Sequence, residues 1–228
     1  PKLMRVYLVE AGPRLLNGMS EKSGNNAVKY LQNLGVEVLL NVAVLKYDGH
    51  KVVFSDQSEL ESTTLVWSAG VKGFIVSGLP EESVKGNRYV VDEFNRVAGT
   101  DAIYSIGDSA GMVTTEKPRG FPMVAPVAVQ QGTNLAKNLL RLKDEKAWKP
   151  FQYKDKGSMA TVGRNKAVVD MPNFSFGGFF AWLVWMFLHL MLLAGFRNRV
   201  IVFVDWMWSY LTYERALRLI VRRAETPK

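Results

Sequence analysis

The sequence predicts an α/β fold followed by an apolar, helical C-terminal segment, and three features of the pattern support this. Short β-favouring runs alternate with helical runs over roughly the first seventy residues, an order typical of a sheet flanked by helices. The middle of the chain repeats the strand signals and then has one long helical run. From Phe174 onward the residues are rich in Trp and Phe and poor in charge.

A strand and two helical stretches come first. Residues 5–9 form a β-favouring run that has the acidic Glu10 at its end. Pro13 is predicted to open a short helical stretch. Residues 21–34 then have helical spacing, and Gly35 is predicted to end this helix.

Three further β elements complete the first part of the chain. Residues 36–40 are predicted to form a second strand. Residues 42–54 are predicted to form a hairpin, because Asp48-Gly49 is a strong turn pair. Residues 64–67 are predicted to form another strand.

The middle of the chain contains two predicted strands and a helix. The strands lie at residues 89–91 and 102–106, and the second runs directly into Gly107. Residues 127–142 have the pattern of a helix, and strand-like runs follow between residues 159 and 169.

The apolar C-terminal segment favours lying on a membrane over crossing it. Residues 174–196 carry no formal charge, and their best helical stretch, residues 179–194, is 16 residues long. At a rise of about 1.5 Å per residue this stretch spans roughly 24 Å, which is less than the ~30 Å hydrocarbon core of a bilayer. The next helix is predicted to place Arg215, Arg218 and Arg222 on one face and Trp206, Tyr210, Tyr213, Leu217 and Ile220 on the other. A basic, aromatic helix of this kind is typical of a membrane interface.

Charge and composition exclude several classes of protein. The net charge is +8, and all of the positive excess follows Gln130, beside the apolar segment. This arrangement favours anionic lipid headgroups, and not nucleic acid, as the partner. The absence of cysteine excludes disulfides, thiolate metal sites and redox-active disulfides, and the two histidines are too far apart to indicate a metal centre. The chain starts without Met or a signal peptide, so we expect it to belong to a longer polypeptide.

Three places in the sequence have residues that can carry chemistry. Glu10 matches the strand-end acid that binds ribose hydroxyls and repels a 2′-phosphate in dinucleotide-binding folds, although a solvated carboxylate has the same pattern. Ala69-Gly70 would let a cofactor approach the backbone, or would simply form a tight turn. The strongest signal is the apolar run that ends at Gly107-Asp108, where the glycine leaves space and the carboxylate can accept hydrogen bonds from hydroxyl groups such as those of a ribityl chain.

Longer stretches around these places resemble one enzyme family. Residues 100–110, TDAIYSIGDSA, resemble the second FAD signature of the pyridine-nucleotide flavoprotein reductases. Residues 64–73, TLVWSAGVKG, and residues 157–168, GSMATVGRNKAV, resemble stretches of the type II NADH:quinone dehydrogenases, as does the Trp-rich ending with GFRNR at residues 195–199. The resemblance covers essentially the whole chain.

The resemblance implies two nested dinucleotide-binding (Rossmann-like) domains, truncated at the N-terminus, and a C-terminal membrane segment. Residues 1–76 would be the C-terminal part of the NADH-binding domain. Residues 77–172 would be the C-terminal part of the FAD-binding domain, with elements of the quinone site. Residues 173–228 would form the membrane-anchoring helices.

The same resemblance implies roles for individual residues. APVAVQQG at residues 125–132 is similar to the quinone motif Ala-Gln-x-Ala-x-Gln-x-Gly, whose helix start would direct positive partial charge at the flavin. Pro126 replaces the first glutamine of that motif. The residues implied for FAD are Gly107, Asp108, Ala125, Pro126, Ala128 and Lys156; those for NADH are Glu10, Ala69 and Gly70; and those for quinone are Gln130 and Met159.

The implied reaction is hydride transfer from NADH to FAD and two-electron reduction of a membrane quinone, without proton pumping. The implied location is the cytoplasmic face of a bacterial inner membrane, with a homodimer formed through the C-terminal segment. Two alternatives stay open: another FAD-dependent NAD(P)H reductase of the same superfamily, and a non-catalytic membrane adaptor. Relatives that act through redox cysteines are excluded, since the chain has none.

Overall fold

A computed structural model describes residues 4–212 of the chain. These residues form two compact units, of which the first contains residues 4–64 and 156–212 and the second contains residues 65–155. The predicted α/β fold is confirmed. The predicted basic face and the end of the predicted aromatic face lie outside the described residues, namely Arg215, Arg218, Arg222, Tyr213, Leu217 and Ile220.

The first unit begins with a strand–helix–strand motif. Strand β1 (Val6–Glu10) and strand β2 (Val36–Leu40) pair in parallel, and helix α1 (Glu21–Asn33) connects them. The hydroxyl of Ser20 accepts a hydrogen bond of 3.2 Å from the amide three residues later, which caps the start of α1. Gly35 follows the helix with φ +81°, as its position after the last helical turn predicts.

The predicted hairpin is confirmed and carries a third strand. Strands β3 (Val44–Tyr47), β4 (Lys51–Phe54) and β5 (Glu59–Glu61) form an antiparallel sheet in that order. The carboxylate of Asp48 accepts hydrogen bonds of 2.8 and 2.7 Å from the amides two and three residues later. Gly49 adopts φ +101°, which closes the turn.

The second unit packs a small sheet against one long helix. Strand β6 (Val84–Lys85) pairs antiparallel with β7 (Arg88–Val91), which pairs in parallel with β8 (Ala110–Met112). Helix α2 (Ala125–Lys143) starts two residues before its predicted first residue and ends one after its predicted last. The buried core of this unit consists of Tyr89, Val91, Val97, Ala110, Met112, Phe121, Val127 and Phe151.

The first unit resumes with a second antiparallel sheet, which is fastened to α1. Its strands are β9 (Ser158–Thr161), β10 (Ala167–Asp170) and β11 (Ser175–Gly178). The carboxylate of Asp170 accepts hydrogen bonds from the hydroxyls of Ser20 (2.9 Å) and Ser23 (2.7 Å) at the start of α1. Burial would raise the pKa of Asp170, but the hydrogen bonds from these two serines outweigh it and lower the pKa.

Two apolar helices follow, α3 (Phe179–Leu192) and α4 (Phe196–Thr212). Gly195 separates them with φ +81°. Their outer surface is unusually apolar: Phe187 is 64% exposed and Trp208 is 61% exposed. Within residues 4–212, no helix combines the length and the apolar character that crossing a membrane requires.

The helical stretch predicted at Pro13 is wrong. Residues 11–19 form bends and turns with no helix among them. The reason is tertiary packing, because Leu15 is buried against Ala27 of α1 and a turning chain is needed to bring it there.

The strand predicted at residues 64–67 is also wrong. No strand among the described residues pairs with it, and Trp67 is 65% exposed.

The strand predicted at residues 102–106 is displaced along the chain. Only a single bridge between Tyr104 and Arg96 is present there. The ladder forms instead at β8, where Ala110 pairs with Tyr89 of β7. The reason is that the free edge of β7 pairs with residues 110–112, which follow Gly107, and not with residues 102–106.

Candidate functional site

The strongest sequence signal, Gly107-Asp108, forms one turn of 3-10 helix just before β8. Gly107 is buried and has φ +66°, a left-handed conformation that glycine adopts at little cost. A Cβ atom added to Gly107 would lie 3.0 Å from the Cβ of Ala128 in α2. The turn therefore needs glycine both for its backbone conformation and for its close approach to the helix.

Two hydrogen bonds hold this turn from opposite ends. The amide of Gly107 donates to Oε1 of Gln131 (2.7 Å), which lies on α2. The hydroxyl of Ser109 donates to the carbonyl oxygen of Phe74 (3.1 Å). Asp108 lies between these two anchored residues, so the path of the backbone on both sides of Asp108 is fixed.

Arg88 contacts the chain that follows the turn and places a positive charge near Asp108. Its guanidinium donates to the carbonyl oxygens of Ala110 and Phe121, the latter at 2.9 Å. Burial lowers the pKa of Arg88, whereas the nearby negative charge of Asp108 acts to raise it. The side chain of Asp108 is itself exposed, and no residue among 4–212 donates a hydrogen bond to its carboxylate. The turn thus presents a carboxylate with free acceptor capacity.

The start of α2 adds a positive partial charge beside this turn. Helix α2 begins at Ala125 with Pro126 in its first turn, has no side-chain cap and has no acidic residue in that turn. The first amides of a helix lack intrahelical partners, so an uncapped start favours electron-rich groups. Since Ala128 contacts Gly107, the helix start lies within about one turn of the Gly107-Asp108 backbone.

Gln130, predicted to face a quinone, is engaged by the backbone of the second unit. Its Nε2 donates to the carbonyl oxygen of Lys154 (3.0 Å), and the amide of Lys154 donates to its Oε1 (2.9 Å). This pair of hydrogen bonds ties α2 to the end of the unit. The quinone role of Gln130 stays a prediction.

The irregular segment that contains Ala69 and Gly70 is largely exposed. Gly70 adopts φ +85°, and a Cβ atom there would meet no atom within 4 Å. Gly73 makes the close approach instead: a Cβ atom on it would clash with the carbonyl oxygen of Asn87 and lie 2.9 Å from that of Asp108. The predicted contact of Ala69 and Gly70 with a nicotinamide stays a prediction.

Glu10 lies at the carboxyl edge of the parallel pair in the first unit, opposite Leu40. Its Oε1 accepts a hydrogen bond of 2.7 Å from the amide of Gly12, which holds the carboxylate against its own turn. The carbonyl oxygen of Gly12 in turn accepts from the amide of Asn41 (3.0 Å). In doubly wound folds, ligands bind at this edge of the sheet.

Two further predicted residues lie in the first unit. Lys156 is exposed just before β9. Met159 is half-buried in β9 and packs against the core that contains Ala167, Val169 and Ala181. Trp182 and Trp185 pack against the same core. The predicted roles of Lys156 beside a flavin and of Met159 in a quinone tunnel stay predictions.

The structure therefore brings together five of the residues predicted for FAD, all in the second unit: Gly107, Asp108, Ala125, Pro126 and Ala128. The sequence reasoning missed Gln131 and Arg88, which hold the turn. Gln131 follows the buried Val127 by four residues and so shares its helical face. A polar residue on the same helical face as a buried apolar residue is the signal that could have identified Gln131.

The chemistry of this group suits a ligand that has hydroxyl groups and an electron-rich carbonyl edge. The free carboxylate of Asp108 can accept hydrogen bonds from hydroxyls, and the uncapped start of α2 can face the carbonyl edge. Small residues at Gly107 and Ala128 keep the two elements close. The residues therefore fit the ribityl chain and ring of a flavin nucleotide.

Two family models match this chain. The model described as pyridine nucleotide-disulphide oxidoreductase matches residues 2–132, and the model described as NDH2 C-terminal domain matches residues 156–213. Together these two matches account for most of the chain, and between them they leave out residues 133–155, which contain the later part of α2 and the connector that follows it.

Curated proteins and solved structures give a concordant result. The type II NADH:quinone oxidoreductase Ndh of Mycobacterium tuberculosis is 34% identical over 92% of this chain and 47% of its own length. The mitochondrial internal alternative NAD(P)H-ubiquinone oxidoreductase A1 of Arabidopsis thaliana is 30% identical over 91% of this chain and 44% of its own length. The chain thus spans about half the length of these relatives. The structure of NDH2 from Plasmodium falciparum in complex with NADH shares the fold, with a TM-score of 0.82 at 18% identity over 92% of this chain and 58% of that one.

Proposed function

Because this chain belongs to the pyridine nucleotide-disulphide oxidoreductase family, among its type II NADH dehydrogenases, we propose that it forms part of an NADH:quinone oxidoreductase that uses FAD. The observation that carries the proposal is the Gly107-Asp108 turn, which is fastened to α2 and presents a free carboxylate. FAD, when bound, supplies the chemistry that accepts a hydride and passes on two electrons.

The residues of the second unit bind and orient the flavin nucleotide in this proposal. Asp108 accepts hydrogen bonds from the ribityl hydroxyls, and Gly107 lets the backbone come close. Ala125, Pro126 and Ala128 form the helix start that faces the flavin carbonyl edge, where its positive partial charge favours electron density. Pro126 has no side-chain amide, so its contribution is to the start of the helix.

Glu10 binds the nucleotide donor in this proposal. One of its oxygens is held by the amide of Gly12, and the other is available to the adenosine ribose hydroxyls. The negative charge disfavours a 2′-phosphate, which selects NADH over NADPH. Ala69 and Gly70 form the backbone beside the nicotinamide.

The acceptor in this proposal is a membrane quinone, which Gln130 and Met159 contact, with Lys156 beside the flavin. Proton pumping is not part of the scheme, because Asp205 is the one acidic residue in α3 and α4. The hydride of NADH supplies two electrons and one proton, and a second proton from water completes the conversion of the quinone to the quinol.

The apolar surface of α3 and α4 docks on the membrane in this proposal. Phe187, Leu192, Phe196 and Trp208 are each more than 60% exposed, and burying such side chains in lipid stabilises docking by about 1.5–3 kcal/mol each. Basic residues near this surface favour anionic headgroups. The protein would lie peripherally on the cytoplasmic face of a bacterial inner membrane and dimerise through the C-terminal segment.

The test is flavin retention by the full-length protein and by three Asp variants. Asp108→Ala removes the proposed acceptor and is expected to weaken FAD binding ~10- to 100-fold, because hydrogen bonds to a charged group contribute about 1.5–3 kcal/mol. Asp108→Asn keeps one acceptor oxygen and should lie between Asp108→Ala and the wild type. Asp101→Ala removes a similarly exposed carboxylate before the turn and should leave the flavin content unchanged.

Each contrary result identifies the part of the proposal that fails. A folded but colourless wild-type protein would eliminate the enzyme in favour of a membrane adaptor. Full flavin content in Asp108→Ala would remove the assigned role of Asp108. A protein that oxidises NADH with soluble acceptors but does not reduce a quinone would indicate another reductase of the superfamily.

A further inference from the structure

One buried polar side chain, Gln131, lies behind the Gly107-Asp108 turn, and the function proposed above assigns it no role of its own. Gln131 is 0% exposed, and its Oε1 accepts the hydrogen bond from the amide of Gly107 at 2.7 Å. Its Nε2 is buried and has no hydrogen-bond acceptor among the described residues. Such an unpaired buried donor costs about 1–3 kcal/mol, and an apolar side chain of the same size would avoid that cost.

The surroundings of Gln131 show which part of the site it governs. Ala128, three residues earlier on α2, contacts Gly107, and a Cβ atom on Gly132 would lie 3.3 Å from Cδ1 of Ile106. Helix α2 therefore lies against the chain immediately before the turn and at the turn itself. Gln131 provides the hydrogen bond in this contact and thereby sets the direction of the Gly107 peptide.

We propose that Gln131 is a positioning residue for FAD, an inference that rests on the proposed function. Its Oε1 fixes the left-handed turn at Gly107 that directs the carboxylate of Asp108 outward. The acceptor role of Oε1 accounts for a glutamine at this buried position, although its Nε2 has no acceptor among the described residues. One side chain thus couples the start of α2 to the carboxylate that holds the ribityl chain.

The experiment compares FAD affinity in three variants of the full-length protein, by the quenching of flavin fluorescence on titration of the apoprotein. Gln131→Met keeps the side-chain volume and removes both hydrogen-bonding ends, and the FAD Kd is expected to rise about tenfold, equivalent to ~1.4 kcal/mol. Asn138→Leu is the matched control, because Asn138 is also 0% exposed on α2 but bonds Lys149, at 2.9 Å in each direction. It should lower the melting temperature and leave the FAD Kd of the folded protein unchanged.

Gln131→Glu provides a rescue that depends on pH. Burial favours the neutral carboxyl group, which keeps an acceptor for the Gly107 amide, whereas the ionised form would place an unpaired charge at a buried position behind the turn. The FAD Kd of Gln131→Glu should be close to that of the wild type near pH 5 and should rise as the pH increases, whereas Gln131→Met binds weakly at every pH. A purely structural role would change the melting temperature and would not produce this change in Kd.

Three results would overturn the inference: a Kd for Gln131→Met within twofold of the wild type, an equal weakening in Asn138→Leu, or a Kd for Gln131→Glu that does not change with pH. These failures are separate from failure of the proposed function, in which the wild-type protein itself would bind no flavin.

Discussion

Substituting Gly107 by alanine tests whether the turn depends on its close contact with α2 or only on its backbone conformation. A left-handed residue other than glycine costs about 1–2 kcal/mol. The added Cβ would also lie 3.0 Å from the Cβ of Ala128, and an overpacked contact of this kind costs about 1–3 kcal/mol. We therefore expect Gly107→Ala to lower the free energy of unfolding by about 2–5 kcal/mol.

Gly86 offers a matched control in the same unit. It has φ +60°, close to the φ +66° of Gly107, and a Cβ atom there would meet nothing within 4 Å. Gly86→Ala should therefore cost only the backbone part, about 1–2 kcal/mol. Ala128→Gly, combined with Gly107→Ala, should recover the contact part, seen as a coupling energy of about 1–3 kcal/mol in a double-mutant cycle.

Urea denaturation of the four variants and the wild type measures these differences, and the flavin content of each protein reports the cofactor site. Gly107→Ala should lose flavin, whereas Gly86→Ala should keep it. Equal destabilisation by Gly107→Ala and Gly86→Ala, or no recovery on adding Ala128→Gly, would refute the contact between the turn and α2 as the determining feature.

Three further predictions concern other parts of the molecule. Because the pKa of Asp170 is lowered in the folded state, its contribution to stability is complete above the ordinary value of 3.8 and is lost as the pH falls through the folded-state pKa. Asp170→Asn should lower the free energy of unfolding by about 1 kcal/mol at pH 7, after discounting for solvent screening. In urea denaturation at lower pH, this variant should not show the acid-dependent loss of stability. Glu10→Gln removes a charge that repels a 2′-phosphate, so the ratio of kcat/KM for NADPH to that for NADH should rise on the order of tenfold, and an unchanged ratio would contradict the ribose role of Glu10. Phe187→Glu should reduce sedimentation with anionic lipid vesicles at least tenfold, whereas Leu45→Glu, at a residue 62% exposed on β3, should not; equal effects would contradict docking through α3.

Local signals in the sequence were sufficient where short-range chemistry decides the structure. The Asp48-Gly49 pair fixes the hairpin through hydrogen bonds within three residues, and Ser20 and Gly35 mark the two ends of α1. The helical pattern of residues 127–142 likewise predicts α2 to within two residues at its start and one at its end. Each of these elements carries its own cap, turn or spacing.

Tertiary partners decided the elements that the sequence did not predict. The strand expected at residues 102–106 forms at β8 instead, because the pairing edge of β7 meets the chain after the turn. The importance of Gln131 arises because α2 and Gly107 meet in space, 24 residues apart in sequence. Arg88 also acts across the unit, on the carbonyl oxygens of Ala110 and Phe121. The helical spacing places Gln131 on the face of the buried Val127, but no local pattern specifies which backbone groups Gln131 and Arg88 contact.

The most direct test of the account is the flavin absorbance of the full-length protein on anaerobic addition of NADH and then of a quinone. The account predicts a yellow protein whose absorbance bleaches with NADH and returns with the quinone, and whose Asp108→Ala variant retains too little flavin to give either change. A wild-type protein that holds flavin but does not bleach with NADH would contradict it.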